Sequence, residues 1–133
     1  MDLKERMWRW LDGFVNGSPP WMWTIEEAIG FTRVLDPVLR EAGFTVGITG
    51  SILLNGQSGH DLDIIVYPIS APGSTHEQAA EALKKFGMRV ICPSDYVIER
   101  WREKGSTDTK VVEIWRVTDK RWKGRRVDVF FLR

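Results

Sequence analysis

The sequence predicts an α+β fold, a mixed and mostly antiparallel sheet flanked by helices. Amphipathic stretches opened by capping residues mark the helices. Short runs rich in Val, Ile, Phe and Trp mark the strands. The two kinds of segment follow one another as α-α-β-β-α-β-α-β-β, which favours helices packed on a sheet.

Leu3, Met7, Trp10 and Leu11 stand at helical spacing, so the first dozen residues predict a helix, broken by Asn16-Gly17-Ser18-Pro19-Pro20. Residues 1–23 are thus expected as a helical extension of a single domain, 1–133. Thr24-Ile25-Glu26-Glu27 has the form of a capping box and opens a second helix, expected to reach about Glu41 with a kink or break at Pro37. Gly43 suits its end. Strands are expected at Phe44–Gly50 and Asp61–Tyr67, joined by a turn-rich connection, Ser51 to His60. Ser74-Thr75-His76-Glu77 repeats the capping signature and opens a helix to roughly Phe86. A short strand, Met88–Cys92, is followed by a helix from Pro93-Ser94-Asp95 to Lys104-Gly105. Lys110–Thr118 and Arg125–Leu132 then read as an antiparallel hairpin.

The composition, 43% hydrophobic and 28% charged, is that of an ordinary globular protein rather than a disordered one. No apolar run approaches the length of a membrane span, and the charged N-terminal segment lacks the pattern of a secretory signal. Cys92 is the only cysteine, which excludes an internal disulfide and a Cys-based zinc site. It is expected as a small core residue, and the setting as reducing and cytoplasmic. The net charge of +1 is unevenly spread: residues 1–66 carry 5 Lys and Arg against 9 Asp and Glu, and residues 67–133 carry 14 against 9. A basic half of this kind attracts phosphates by long-range electrostatics.

Alternate residues of a strand share a face, so Asp61 and Asp63 project together while Leu62, Ile64 and Val66 face the other way. Two carboxylates side by side repel each other, and a divalent cation such as Mg²⁺, which takes oxygen ligands, removes the conflict. Upstream, Thr49-Gly50-Ser51 ends a strand at a turn whose glycine permits close backbone approach. Backbone N–H groups there, with the Ser51 hydroxyl, are suited to phosphate oxygens. Alternation on the last strand puts Arg126, Asp128, Phe130 and Leu132 on one face.

Gly50-Ser51, a spacer of about ten residues, then Asp61-Leu62-Asp63-Ile64, followed by Arg125-Arg126-Val127-Asp128-Val129 on a later strand, resembles the DNA polymerase beta-like nucleotidyltransferase superfamily. Gly59-His60-Asp61-Leu62-Asp63 is similar to the family X polymerases, particularly their terminal-transferase branch. The resemblance implies a polymerase beta palm-like fold and two-metal phosphoryl transfer. Asp61, Asp63 and Asp128 would be the catalytic carboxylates and the ligands of two Mg²⁺ ions, with Mn²⁺ as a substitute. Gly50, Ser51, Ser58 and Arg126 would contact the nucleotide, an NTP or dNTP. The acceptor would be a hydroxyl, at a nucleic-acid 3′ end or, as in the minimal nucleotidyltransferases, on a partner protein. A regulatory module that binds nucleotide without turnover is the alternative from another class.

The chain departs from the family at Ile52-Leu53-Leu54-Asn55-Gly56, where family X polymerases place Arg-Arg-Gly. Arg125, Arg126 or Lys123 are then the expected sources of positive charge for the triphosphate. Five residues follow Asp128, leaving no room for a thumb there, which implies a homodimer, a separate partner chain or a preformed nucleic-acid end. Of the seven tryptophans, Trp122, between Arg121 and Lys123, is the candidate for base stacking. Trp101 and Trp115 are expected in the core, and Trp8, Trp10, Trp21 and Trp23 as anchors of the N-terminal segment. His60 is expected to cap its turn and His76 to be exposed.

Overall fold

Thr24 closes a full capping box with Glu27, its hydroxyl accepting from the Glu27 backbone N–H and the Glu27 carboxylate accepting from the Thr24 N–H. This stops the chain from fraying where helix α1, Ile25–Glu41, begins. The computed structural model describes residues 22–58, 61–69, 75–95 and 111–132, with 97, 103 and 105 besides. The expected helix in the first dozen residues, together with Trp8, Trp10, Trp21, His60 and Trp101, lies outside them. Trp23 does not belong to a helical extension: Trp23–Thr24 forms a two-residue strand, β1.

The helix α1 is not broken at Pro37. Leu35 and Leu39, on either side of it, are both fully buried against the sheet, and that packing offsets the lost hydrogen bond. The chain returns through Gly43 (φ 90°) into β2, Phe44–Thr49. The expected turn after β2 contains more structure than the sequence suggested. A short helix α2, Ser51–Asn55, lies between Gly50 (φ 81°) and a left-handed Gly56, and buries Ile52. It leads into β3, Gln57–Ser58, which pairs with β1 in a small separate ribbon.

The third helix, α3, His76–Phe86, is capped by Thr75 with Gln78 as its reciprocal partner, one residue beyond the expected Ser74 and Glu77. The main sheet comprises β2, β4 (Asp61–Pro68), β5 (Met88–Cys92), β6 (Val111–Val117) and β7 (Arg126–Phe131). Its order is β2-β4-β7-β6-β5, with β4 and β7 parallel and every other pair antiparallel. The sheet is therefore mixed and the fold α+β. The β6–β7 connection includes a 3-10 turn at Lys120–Trp122. Ser94, Asp95, Val97 and Glu103 are helical, in keeping with the expected helix there.

One face of the sheet is apolar. Leu62, Ile64 and Val66 of β4 and Val127, Val129 and Phe131 of β7 are buried beneath Phe31, Leu35 and Leu39 of α1 and Leu83 of α3. Each such side chain contributes on the order of 2 kcal/mol on burial. That fixes the pleat of β4 and β7, because a slip of one residue would turn their apolar side chains outward.

Trp122 belongs to this core. Its ring meets Phe31 edge-on with centroids 5.4 Å apart and stacks beside Phe86 at 6.5 Å. The expectation that it stacks on bases is therefore corrected: the 3-10 turn folds Trp122 back over the helices. Trp115 is buried as expected, and its Nε1–H donates to the Glu113 carboxylate at 3.3 Å. The same carboxylate meets His76 Nε2 at 3.0 Å, so His76 is exposed as expected but is tied to the sheet. Cys92 is also only partly buried and lies at the end of an edge strand rather than in the core.

Candidate active site

The apolar alternation that buries Leu62, Ile64 and Val66 leaves Asp61 and Asp63 on the opposite face of β4. The corresponding alternation on β7 leaves Arg126 and Asp128 there. The parallel register pairs Asp61 with Arg126 and Asp63 with Asp128. Paired residues in neighbouring strands stand about 5 Å apart, so these four side chains form one cluster at the start of two central strands.

Arg126 bridges the cluster. Its Nε lies 3.0 Å from Asp61 Oδ1, and its Nη2 lies 3.9 Å from Asp128 Oδ1. A single guanidinium does not balance three carboxylates. Burial pushes the Asp128 carboxyl up to about 7, helped by the negative charges of Asp61 and Asp63 and opposed by Arg126. Burial, then the Asp61 charge, also raises Asp63, while a hydrogen bond with Asp128 works the other way. Taken alone, the site relieves its repulsion by retaining a proton.

Among the described residues, no group of three or more His, Cys, Asp or Glu side chains is placed so that it could hold a metal ion. The donor chemistry nonetheless fits hard cations. It consists of carboxylate oxygens, partly exposed, on two neighbouring strands. Asp61, Asp63 and Asp128 supply those oxygens, and the sequence-based expectation of metal ions rests on them.

Gly50 sits against this cluster. Thr49 pairs with Asp63, and a Cβ on Gly50 would overlap the Asp63 carboxylate, 2.9 Å from Cγ and 3.0 Å from Cβ. Gly50 also has a positive φ of 81°. Both constraints call for glycine, and the expected close approach is seen first as an approach to Asp63. Ser51 begins α2 immediately after. Ser58 lies in the β1–β3 ribbon, backbone-paired with Trp23, and so belongs to a different sheet from the carboxylates.

Two tethers hold these parts in place. Trp23 Nε1–H donates to the Arg126 carbonyl at 2.9 Å, pinning the start of β7. The Ile25 N–H donates to the Gly56 carbonyl at 2.9 Å, which docks the end of α2 on the start of α1. Arg125, one of the cations expected for the triphosphate, is already engaged. It is ion-paired with Glu27 and lies over the Trp23 ring at 5.1 Å, on the buried side of β7. Lys123 is exposed in the turn before Gly124.

Sequence reasoning missed Arg116 and Arg89. The first pairs with Arg126 across β6–β7, and the second pairs with Arg116 across β5–β6. Both belong to the carboxylate face. The signal was the alternation of Ile114 and Arg116, but its meaning required the hairpin register.

No helix among the described residues is long and apolar enough to cross a membrane. No protein-family model matches the chain, and no curated protein matches it.

Proposed function

We propose that this chain is a metal-dependent nucleotidyltransferase with a polymerase beta palm-like fold. The observation that carries the reading is the parallel β4–β7 register, which sets Asp128 beside Asp63 and Arg126 beside Asp61. Carboxylates from two distant stretches of chain thus meet at one point, with Gly50 against Asp63. A solvated polar face gives no reason for carboxylates from two strands to be held side by side and partly buried.

In this reading the acceptor hydroxyl loses its proton to solvent, its oxygen bonds to the α-phosphorus of an NTP or dNTP, the bond to the leaving oxygen breaks, and pyrophosphate departs. Asp61, Asp63 and Asp128 would hold two Mg²⁺ ions. Such ions, when bound, supply the charge that stabilises the attacking and leaving oxygens of an in-line displacement. Arg126 orients Asp61 and limits repulsion with Asp128. Gly50 gives the Asp63 carboxylate room, and its turn offers backbone N–H groups to phosphate oxygens. The buried faces of β4 and β7 keep the carboxylates on a rigid base.

The test is incubation with labelled nucleotides and Mg²⁺ or Mn²⁺, with a primed template, a single strand or no nucleic acid. Label transfer is expected in the wild type and is lost in Asp63→Ala and Asp128→Ala. Transfer that persists in either variant would sink the assignment.

A further inference from the structure

The carboxylates have two different flanks. On the β2 side the sheet offers the Gly50 turn, with no cation in the Ile52–Asn55 helix that follows. On the other side the register continues the Asp61 row across three more strands, as Asp61, Arg126, Arg116 and Arg89. Three guanidiniums therefore stand side by side on neighbouring strands, leading from the carboxylates to the sheet edge at β5. The adjacent row, Asp63, Asp128, Ile114 and Cys92, has no cation. Positive charge on this part of the face is drawn up in a single line.

Like charges directly opposite one another in a sheet are destabilising. Arg89 is exposed, whereas Arg116 and Arg126 are partly buried. Arg116 is half-buried, and its guanidinium is held below its usual value by burial first and then by Arg89 and Arg126. An anion lying along the row would relieve that repulsion. At about 4.8 Å between strands the three arginines span roughly 10 Å, enough to meet more than one phosphate of a strand. The planar guanidinium suits phosphate oxygens better than an ammonium does.

We infer that Arg126, Arg116 and Arg89 form a track for the phosphodiester backbone of a single-stranded nucleic acid, whose terminal hydroxyl is the acceptor at Asp61, Asp63 and Asp128. This rests on the proposed nucleotidyltransferase reading. It goes further by assigning the two flanks: the nucleotide's phosphates lie on the Gly50 side and the acceptor strand lies on the arginine side. A protein or neutral small-molecule acceptor has no use for a line of three cations ending at the reacting groups.

The experiment measures binding of a fluorescein-labelled oligothymidylate in EDTA as salt is varied, so that no turnover is required. Mant-labelled nucleoside triphosphate binding with Mn²⁺ is measured in parallel. The variants are Arg89→Glu alone and Arg89→Ala combined with Arg116→Gln, both on the exposed face and checked for folding by urea denaturation. We expect the double variant to bind the oligonucleotide at least tenfold more weakly. The magnitude of its log–log salt slope should fall by about 1.4, for two lost phosphate contacts. Arg89→Glu should weaken binding as well, and triphosphate affinity should stay within twofold of wild type in both.

Unchanged oligonucleotide binding, or a wild type that does not bind the strand at all, overturns the track. So does a loss confined to the triphosphate, which would give the row to the nucleotide instead. The underlying reading fails separately: if no label is ever transferred but strand binding still depends on Arg89 and Arg116, the track stands and the chemistry does not.

Discussion

Replacing Asp128 with Asn removes one ionisable group from the centre of the carboxylate cluster while preserving its shape. Its carboxyl is raised from an ordinary 3.8 to about 7, chiefly by burial and then by Asp61. A raised acid holds its proton more tightly in the folded state than in the unfolded one. Between pH 4 and 7 the native protein therefore binds more protons, and this group makes stability fall as pH rises. Below pH 4 the group has no differential effect, and above about 7 its full cost is present. A shift of about 3 units at ~1.4 kcal/mol each gives on the order of 4 kcal/mol. Asn is neutral at every pH and its amide can still donate to Asp61. Urea denaturation in EDTA should show the stability of Asp128→Asn relative to wild type rising by about 4 kcal/mol between pH 4 and pH 8. Mg²⁺ or Mn²⁺ should narrow that gap at pH 8 by stabilising only the wild type, and label transfer should be lost in the variant. A stability difference that stays flat from pH 4 to pH 8 would refute the claim that Asp128 is held at the expense of stability.

Metal stabilisation of the wild type should grow as pH rises through 7, because the proton on the Asp128 carboxyl competes with the cation; thermal denaturation with and without Mn²⁺ at several pH values checks it. Gly50→Ala should cost about 1–3 kcal/mol from its positive φ alone, and should reduce label transfer further than that loss explains, because the new methyl displaces Asp63. Trp122→Ala should destabilise by about 2–4 kcal/mol through lost packing on Phe31 and Phe86, with oligonucleotide affinity unchanged. Glu113→Leu should cost about 1–3 kcal/mol, since it leaves the Trp115 Nε1–H without its acceptor, and should spare label transfer.

Much of this architecture was legible in local patterns. The Thr24 capping box, the β4 alternation and the hydrophobic β6–β7 hairpin each follow from periodicity that later packing reinforces. Asp61 and Asp63 could be placed on one face from spacing alone. That Asp128 joins them depended on resemblance, since no local rule says which strand β7 will lie against or in which direction. The short helix α2 was hidden because five residues between two glycines look like a turn, and it exists only because Ile52 reaches the core. Trp122 was misread because a basic, aromatic turn looks the same whether its ring points outward or folds back. The arginine row was invisible for a related reason. Arg89, Arg116 and Arg126 are separated by whole elements, and only hydrogen-bonded register brings them into line.

The position of β7 has a consequence for how the carboxylate cluster assembles. It is last among the described strands in sequence but lies between β4 and β6 in the sheet, so β4 has no central partner until β7 inserts. Contacts between residues about 65 apart must form before Asp63 meets Asp128, and contacts of such long sequence separation are slow to form. A partly folded chain thus exposes Asp61 and Asp63 without the third carboxylate and without Arg126. Under the proposed function, ion capture would report that the sheet is closed, and a chelator would be felt as a loosening of the whole sheet rather than of one loop.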